Sequence, residues 1–393
     1  MSLFSRRGYP GQTADQLIPP RPEKRAGLTA VTADTALRHS AVWACLRLRS
    51  NLISTMPVDL YRKVQGVQVE VPKPPVLVNP GGEQVDMQEW LYSTQFDLDR
   101  MGNAIGLITA RDGMGFPARI ELASASDLGI KVKDGRIEKY RICGTEYDPS
   151  EVWHEKQYTV AGLPVGLSPI AYAAWSIGEY LSIQDFALAW FGNGGMPAAH
   201  LRNTVVQTLE QAKADAVKRT FKAATQGGDI FVSGADWEYK PIQAEQTGNA
   251  WIEAKNYGVG DIARFFDCPG DLIDAAVTTG NITYANITQR NLQFLIMHLG
   301  PAVARRENAL SKLTSRPRFV KLNTDALLRM DPATRAQTIK TQLDARILAP
   351  SEARELEDRP PFTEAQLAEF DRLYGPPKTP TPTGGSAPTG ATT

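Results

Sequence analysis

The chain is short of the residues that most often carry chemistry. Its 393 residues include three cysteines and four histidines. Cys45, Cys143 and Cys268 are isolated, with no CxxC pair and no thiolate metal spacing. Three thiols without a secretory leader point to a reducing compartment. His39, His154, His200 and His298 are scattered, so no metal is expected, and no cofactor either. The sequence lacks GxxxxGK[ST], GxSxG and HExxH, which removes P-loop ATPases, α/β-hydrolases and zincin proteases. Nor is there an excess of charge of one sign. Lys plus Arg and Asp plus Glu are 43 each, unlike the basic balance of a DNA-coating protein.

Weaker signals also fail. Gly258-x-Gly260-x-x-Ala263 mimics a dinucleotide fingerprint, but it lies inside a helical stretch rather than after a strand. Asn281 and Asn286 open glycosylation patterns that mean nothing without a leader. Asp97 and Asp99 are two apart on a helix and do not share a face. His154 and Glu155 are strand neighbours facing opposite ways, a structural arrangement. No active site assembles, and no enzyme is expected.

What is present is a long apolar helix, a compact insert and a second helix returning. Ser168 stands at an N-cap and Pro169 at the first helical position, while Gly192, Gly194 and Gly195 close the helix. Between them only Glu179 and Asp185 are charged. Pro169 to Phe191 spans roughly 35 Å at about 1.5 Å per residue. A helix apolar nearly all round needs partners on several sides, either the interior of a large monomer or neighbouring identical subunits. Glu179, Gln184 and Asp185 argue against a membrane, since a charge at mid-bilayer costs about 2.5–3.5 kcal/mol.

The rest of the chain reads as α+β. Residues 1–27 form a flexible arm and 375–393 a disordered tail of Gly, Pro, Thr, Ser and Ala. Helices are expected at Asp34–Ser54, with Arg38, Arg47 and Arg49 mostly off its apolar face, and at Val85–Met101. Strands follow from Val58, Val67, Ala104, Ala118, Gly129, Lys139 and Val152, mostly antiparallel, with Asp112-Gly113 and Asp134-Gly135 turning. The insert has a short strand, Ala198–Arg202. A helix capped by Thr208 and Gln211 then buries Leu209, Ala212, Ala216, Val217 and Phe221, and a hairpin of 229–233 with 237–242 follows. Lys218, Arg219 and Lys222 lie on that helix. Ala250–Phe266 is the returning helix, where Gly258 and Gly260 imply a kink or a close crossing. A loop follows to Ile282. A long helix, Thr283–Ser311, should bend at Pro301, and Phe319–Leu322 is a strand rejoining the first domain. Three C-terminal helices start near Pro332, Ser351 and Thr363, with Ser351 and Thr363 as caps.

Seven segments, in order, resemble tailed-phage portal proteins. Ser40 to Tyr61 looks like their first helix and strand. Gly102–Gly106 resembles "GNAY" and Val165–Ile170 resembles "GLSPI". Phe191–Pro197 is similar to "F-x-NGA-x-P", and Asp261–Pro269 to "EIAR-x-FGVP", with Cys268 in place of the usual valine. Asn281–Pro301 is similar to "N…QQ…F…L-x-P" and Leu348–Arg354 to "L-T-x-NEAR".

The resemblance implies a portal fold: a mixed α/β wing, a two-helix stem, a small α/β clip inserted between the stem helices, and a helical crown. The wing is 28–165 plus 283–322, the stem 168–192 and 246–267, the clip 193–245, the tunnel loop 271–282 and the crown 325–374. It implies a homo-oligomeric ring, typically dodecameric, in the virion at one capsid vertex, assembled in the host cytoplasm. Implied partners are double-stranded DNA, the large terminase, the major capsid protein and a head–tail adaptor, with no membrane. Asp271, Asp274, Thr278, Thr279 and Asn281 become channel candidates. Lys218, Arg219 and Lys222 become terminase- or adaptor-facing candidates, or remain a solvated helix face. The alternatives are another ring-forming connector, or a DNA-processing enzyme of the packaging machinery.

Overall fold

The computed structural model describes residues 31–124, 127–192, 199–205, 210–226, 236–241, 250–273, 284–324, 332–357 and 359–375. The chain is α+β and divides into two compact units, Met1–Leu327 and Leu328–Thr393. The first unit opens with a 3-10 turn, Thr35–Arg38, and helix α1 (Ser40–Ser54). The single helix expected from Asp34 is interrupted at His39. That residue is extended and its Nδ1 accepts the Ala41 N–H at 3.1 Å, so a histidine caps α1.

Strands β1 (Val58–Val64) and β2 (Val67–Glu70) form a hairpin turned by Gln65 and Gly66, both at positive φ. Helix α2 (Met87–Met101) starts where the Asp86 carboxylate accepts the Glu89 N–H at 2.8 Å and stops at left-handed Gly102. Then come β3 (Asn103–Arg111), β4 (Pro117–Leu122), β5 (Leu128–Lys133), β6 (Arg136–Ile142), β7 (Thr145–Tyr147) and β8 (Val152–Lys156). They pair antiparallel in two sheets of order β4-β3-β8 and β5-β6-β7.

The expected long helix divides into α3 (Pro169–Tyr172) and α4 (Ala174–Gly192), because Ala173 leaves helical geometry. Next follow β9 (Ala199–Asn203), α5 (Gln211–Gln226), β10 (Trp237–Pro241), α6 (Ala250–Phe265) and α7 (Tyr284–Gln293). A π-helical turn, Phe294–Leu299, joins α7 to α8 (Gly300–Ser311). Proline lacks the N–H that would bond four residues back, and a widened turn immediately before Pro301 absorbs the mismatch. The expected bend is therefore a six-residue change of helix type. β11 (Arg318–Leu322) pairs with β1, rejoining the first domain as expected and giving a sheet of order β11-β1-β2.

The second unit holds α9 (Pro332–Asp344), α10 (Pro350–Leu356) and α11 (Glu364–Tyr374). Thr363 and Gln366 form the expected capping box. Ser351 does not cap α10. Ala349 is the N-cap, its N–H held by the Glu352 carboxylate at 2.8 Å, because Pro350 takes the first helical position.

One core packs Trp90, Leu91 and Leu98 of α2 against Leu60, Val320 and Leu322 of the sheet and Leu299, Val303 and Leu310 near α8. Two ion pairs are buried with it. Arg49 Nε donates to Asp99 at 3.0 Å, with side chains 1% and 2% exposed. Asp99 also accepts from Gln95 at 3.0 Å and Gln157 at 2.7 Å. Arg306 donates to Glu155 at 2.7 Å and to Thr94 at 2.6 Å. Arg49, placed off the apolar face by the sequence pattern, is on the buried face with Cys45 and Ile53, four residues away on each side. The outer edge of β11 is closed by side chains. The Val320 N–H donates to Ser311 Oγ at 2.8 Å, and the Leu322 N–H to Glu307 at 3.0 Å.

Removing one partner of a buried ion pair strands the other charge. Asp99→Ala is expected to lower unfolding free energy by about 3–5 kcal/mol. Glu138→Ala, which breaks the exposed Lys131–Glu138 pair at 3.2 Å, should cost under about 1 kcal/mol. Denaturant titration of both variants checks the contrast.

Candidate functional site

Helices α4 and α6 cross where the sequence placed its two glycines. A Cβ at Gly258 would lie 3.7 Å from the Tyr180 ring, an ordinary contact, and Gly260 faces open space, so the expected close crossing does not require either glycine. Ile177 and Leu181 of α4 pack with Ile262 of α6 and with Phe266 just beyond its end. Ser176 Oγ donates to Asp261 at 2.6 Å, tying the helices on their polar side. The His39 ring stacks on Tyr180 with centroids 3.7 Å apart, and Lys255 lies over the same ring. Burial, with a smaller contribution from Lys255, lowers the His39 pKa to about 4.

The end of α6 is an αL stop. Asp267 has a φ of 53°, and the Cys268 N–H reaches back to the Ala263 carbonyl at 2.9 Å. The segment that follows is braced on both flanks. His298 Nδ1 lies 2.6 Å from the Asp267 carboxylate, and Arg290 donates to Asp271 at 2.7 Å. Asp271 sits in a 3-10 turn, Gly270–Ile273, with its carboxylate turned to α7. Asp274, Thr278, Thr279 and Asn281 lie outside the described residues.

In the insert, β9 and β10 pair antiparallel, from Trp237 opposite Asn203 to Pro241 opposite Ala199. The 229–233 half of the expected hairpin lies outside the described residues, as do Thr208 and Leu209. Helix α5 begins only at Gln211, where the Glu210 carbonyl accepts the Ala214 N–H at 3.0 Å, so Gln211 cannot be the third residue of a box opened by Thr208. The expected buried stripe is half covered: Val217 and Phe221 are half-buried, Ala212 and Ala216 exposed. Lys218 and Arg219 are exposed; Lys222 is on the same helix.

Two further stretches singled out in the sequence meet in space. A Cβ on Gly166 would fall 2.0 Å from the Gly102 carbonyl oxygen, so only glycine fits. Asn103 brackets Gly166, its Nδ2 donating to the Gly166 carbonyl at 2.9 Å and its Oδ1 accepting the Gly166 N–H at 2.7 Å. His154 Nε2 lies 3.0 Å from Asn103 Oδ1, and burial lowers its pKa to about 3. Ser168 caps α3 through the Ala171 N–H and donates to the Arg100 carbonyl at 2.9 Å. The start of α3 is thereby fastened to the end of α2.

The sequence profile of the family described as phage portal protein matches residues 40–358. The chain belongs to the phage portal protein family. A "Probable portal protein" of Streptomyces phage phiC31 is 28% identical over 359 residues, covering 85% of this portal chain and 77% of that protein. The crystal structure of an HK97 family phage portal protein from Corynebacterium diphtheriae superposes with a TM-score of 0.61 at 21% identity, covering 77% of this chain and all of that one. A chain in the neck of a native GTA particle, computed with C12 symmetry, gives 0.53 at 18% identity, covering 85% of this chain and 96% of that one.

For this portal protein, sequence reasoning found the two crossing helices and the insert but missed Arg49, Arg306 and the Asp267–His298 contact. A charged residue in phase with apolar neighbours at helical spacing was the available signal for the two arginines. Among the described residues, no group of His, Cys, Asp and Glu could hold a metal, and no helix is long and apolar enough to cross a membrane.

His39 supplies a pH test. Its folded pKa lies below the ordinary 6.5, so its contribution is complete above pH 6.5, where folded and unfolded chains are both neutral. As pH falls from 6.5 toward 4 the unfolded chain gains a proton that the folded chain refuses, and on the order of 3 kcal/mol is lost. His39→Asn keeps a capping oxygen. Its stability should decline less over that window, measured by denaturant unfolding at each pH. Superimposable pH profiles would contradict the assignment.

Proposed function

We propose that copies of this chain close into a dodecameric ring at one vertex of a phage-type capsid, forming the pore for double-stranded DNA. The family match over residues 40–358 carries this reading. A chain of the same fold sits in a particle neck computed with C12 symmetry, which supports the ring. So does the surface of the two crossing helices: Leu188 on α4 is 65% exposed and Tyr257 on α6 is 70% exposed. Copies set side by side around an axis would cover such residues through head-to-tail contacts that close.

In this reading residues 28–165 and 283–322 are the wing, and the ring as a whole meets the major capsid protein. Residues 168–192 and 246–267 are the stem, 193–245 the clip, 271–282 the tunnel loop and 325–374 the crown. Residues 1–27 and 375–393 are a flexible arm and tail. The portal hydrolyses nothing. A separate terminase ATPase drives DNA through it, and the head–tail adaptor later occupies the clip side. DNA has to slide, and every neutralised phosphate adds affinity that resists sliding. The stretch 271–282 carries Asp271 and Asp274 and no Lys or Arg, which suits a low-friction lining. Asp271, engaged by Arg290, braces the start of the loop, leaving Asp274, Thr278, Thr279 and Asn281 to meet DNA.

Purified protein should appear in negative stain as rings with a central hole. Deleting 272–280 is expected to leave those rings intact while DNA packaging or retention fails; normal packaging by the deletion rejects the loop assignment. Lys218, Arg219 and Lys222 face the motor in this reading. Reversing all three to glutamate should weaken terminase binding at least tenfold without changing ring assembly, and unchanged binding would return them to a solvated helix face.

A further inference from the structure

We propose that Cys45 and Cys268 form a site of oxidative cross-linking, where a disulfide closes between helix α1 and the end of α6. The sequence presents these residues as unrelated, but the fold brings them together. Both are buried, 0% and 4% exposed, in one apolar cluster with Leu46, Ile262 and Phe266. Cys45 lies mid-way along α1. Cys268 follows the αL stop of α6, its backbone fixed by the bond to the Ala263 carbonyl. The Cys45 thiol is within hydrogen-bonding reach of Cys268. A disulfide requires Cα atoms about 4.4–6.8 Å apart, a separation that residues on two packed elements can meet. Cys143 is exposed, in the turn between β6 and β7, and serves as an internal reference.

The chemistry balances with hydrogen peroxide as oxidant. One thiolate attacks a peroxide oxygen, the O–O bond breaks, and a sulfenic acid forms. The departing hydroxide takes the proton shed by that thiol and becomes water. The second thiolate attacks the sulfenic sulfur, an S–S bond forms and the S–O bond breaks. The second hydroxide leaves as water with the other thiol's proton. Two thiols lose two electrons to one peroxide, and two waters result. The contact with Cys268, and then burial, push the Cys45 thiol up, with Asp99 adding to the shift and Arg49 opposing it, so the thiolate is scarce and closure is slow. A protein assembled in a reducing cell stays open, and one carried into an oxidising medium closes. A closed bond constrains the unfolded chain over a long loop and raises resistance to unfolding.

The test treats the purified full chain with hydrogen peroxide over hours, blocks remaining thiols under denaturing conditions, digests without reductant and maps the peptides by mass spectrometry. The expected product is a Cys45–Cys268 linked peptide, lighter by two hydrogens than its halves and reversed by dithiothreitol. A melting temperature several degrees higher than that of the reduced protein should accompany it. Cys45→Ala and Cys268→Ala should each lose both the link and the shift. Recovery of Cys45 and Cys268 as free thiols after Cys143 is fully oxidised overturns the proposal, as does linkage of either to Cys143. Should an alanine variant fail to fold, the wild-type peptide map alone decides.

Discussion

Two buried ion pairs converge on helix α2, and the first unit depends on them. Asp99 holds Arg49 of α1 together with Gln95 and Gln157, and Thr94 shares Arg306 of α8 with Glu155 of β8. Burial pushes the Glu155 carboxyl upward, and Arg306 opposes that shift. Buried pairs of this kind add little net stability over apolar packing, but they punish every arrangement that separates the partners. A slip of α1 or α8 by one helical position would strand a guanidinium in the core. The ionic contacts therefore select one packing of α1, α2, β8 and α8, while Trp90, Leu60, Val303 and their neighbours supply the favourable burial.

How much was legible in the sequence follows from whether a signal is local. The caps at Ser168 and Thr363 were readable because each satisfies backbone groups within a few residues, whereas α2 was expected from Val85 and starts after its cap at Asp86. The interruptions at His39 and Ala173 were not, since apolar spacing continues through both. In the crossing helices, a side chain at Gly258 would meet Tyr180 only at ordinary contact distance and Gly260 faces open space, so packing explains neither glycine. Arg49 keeps the helical phase of Cys45 and Ile53 but was placed mostly off the apolar face; Asp99, fifty residues away, makes its burial tolerable. Of the insert, β9, α5 and β10 were legible as strand, helix and strand, and among the described residues the stripe of α5 is only half covered.

The segments that resembled a family acquire physical reasons. Gly102 and Gly166 touch backbone to backbone, and Asn103 takes up both polar groups of Gly166. In Asp261–Pro269, Ile262, Ala263 and Phe266 face the core, while Asp261 ties α6 to α4. Asp267 holds the left-handed position where the family pattern carries glycine. An aspartate tolerates that conformation better than most side chains, and here its carboxylate gains a partner in His298.

The closed rim of β11 has a consequence for association. A strand with free amides invites another polypeptide to add on, and repeated addition yields open fibres rather than finite particles. Here Ser311 and Glu307 occupy the outward amides of Val320 and Leu322, so the main sheet cannot be lengthened from that side. Association on that side then falls to side-chain surfaces, whose shape fixes an angle between neighbours and lets a chain of contacts come round to its own beginning.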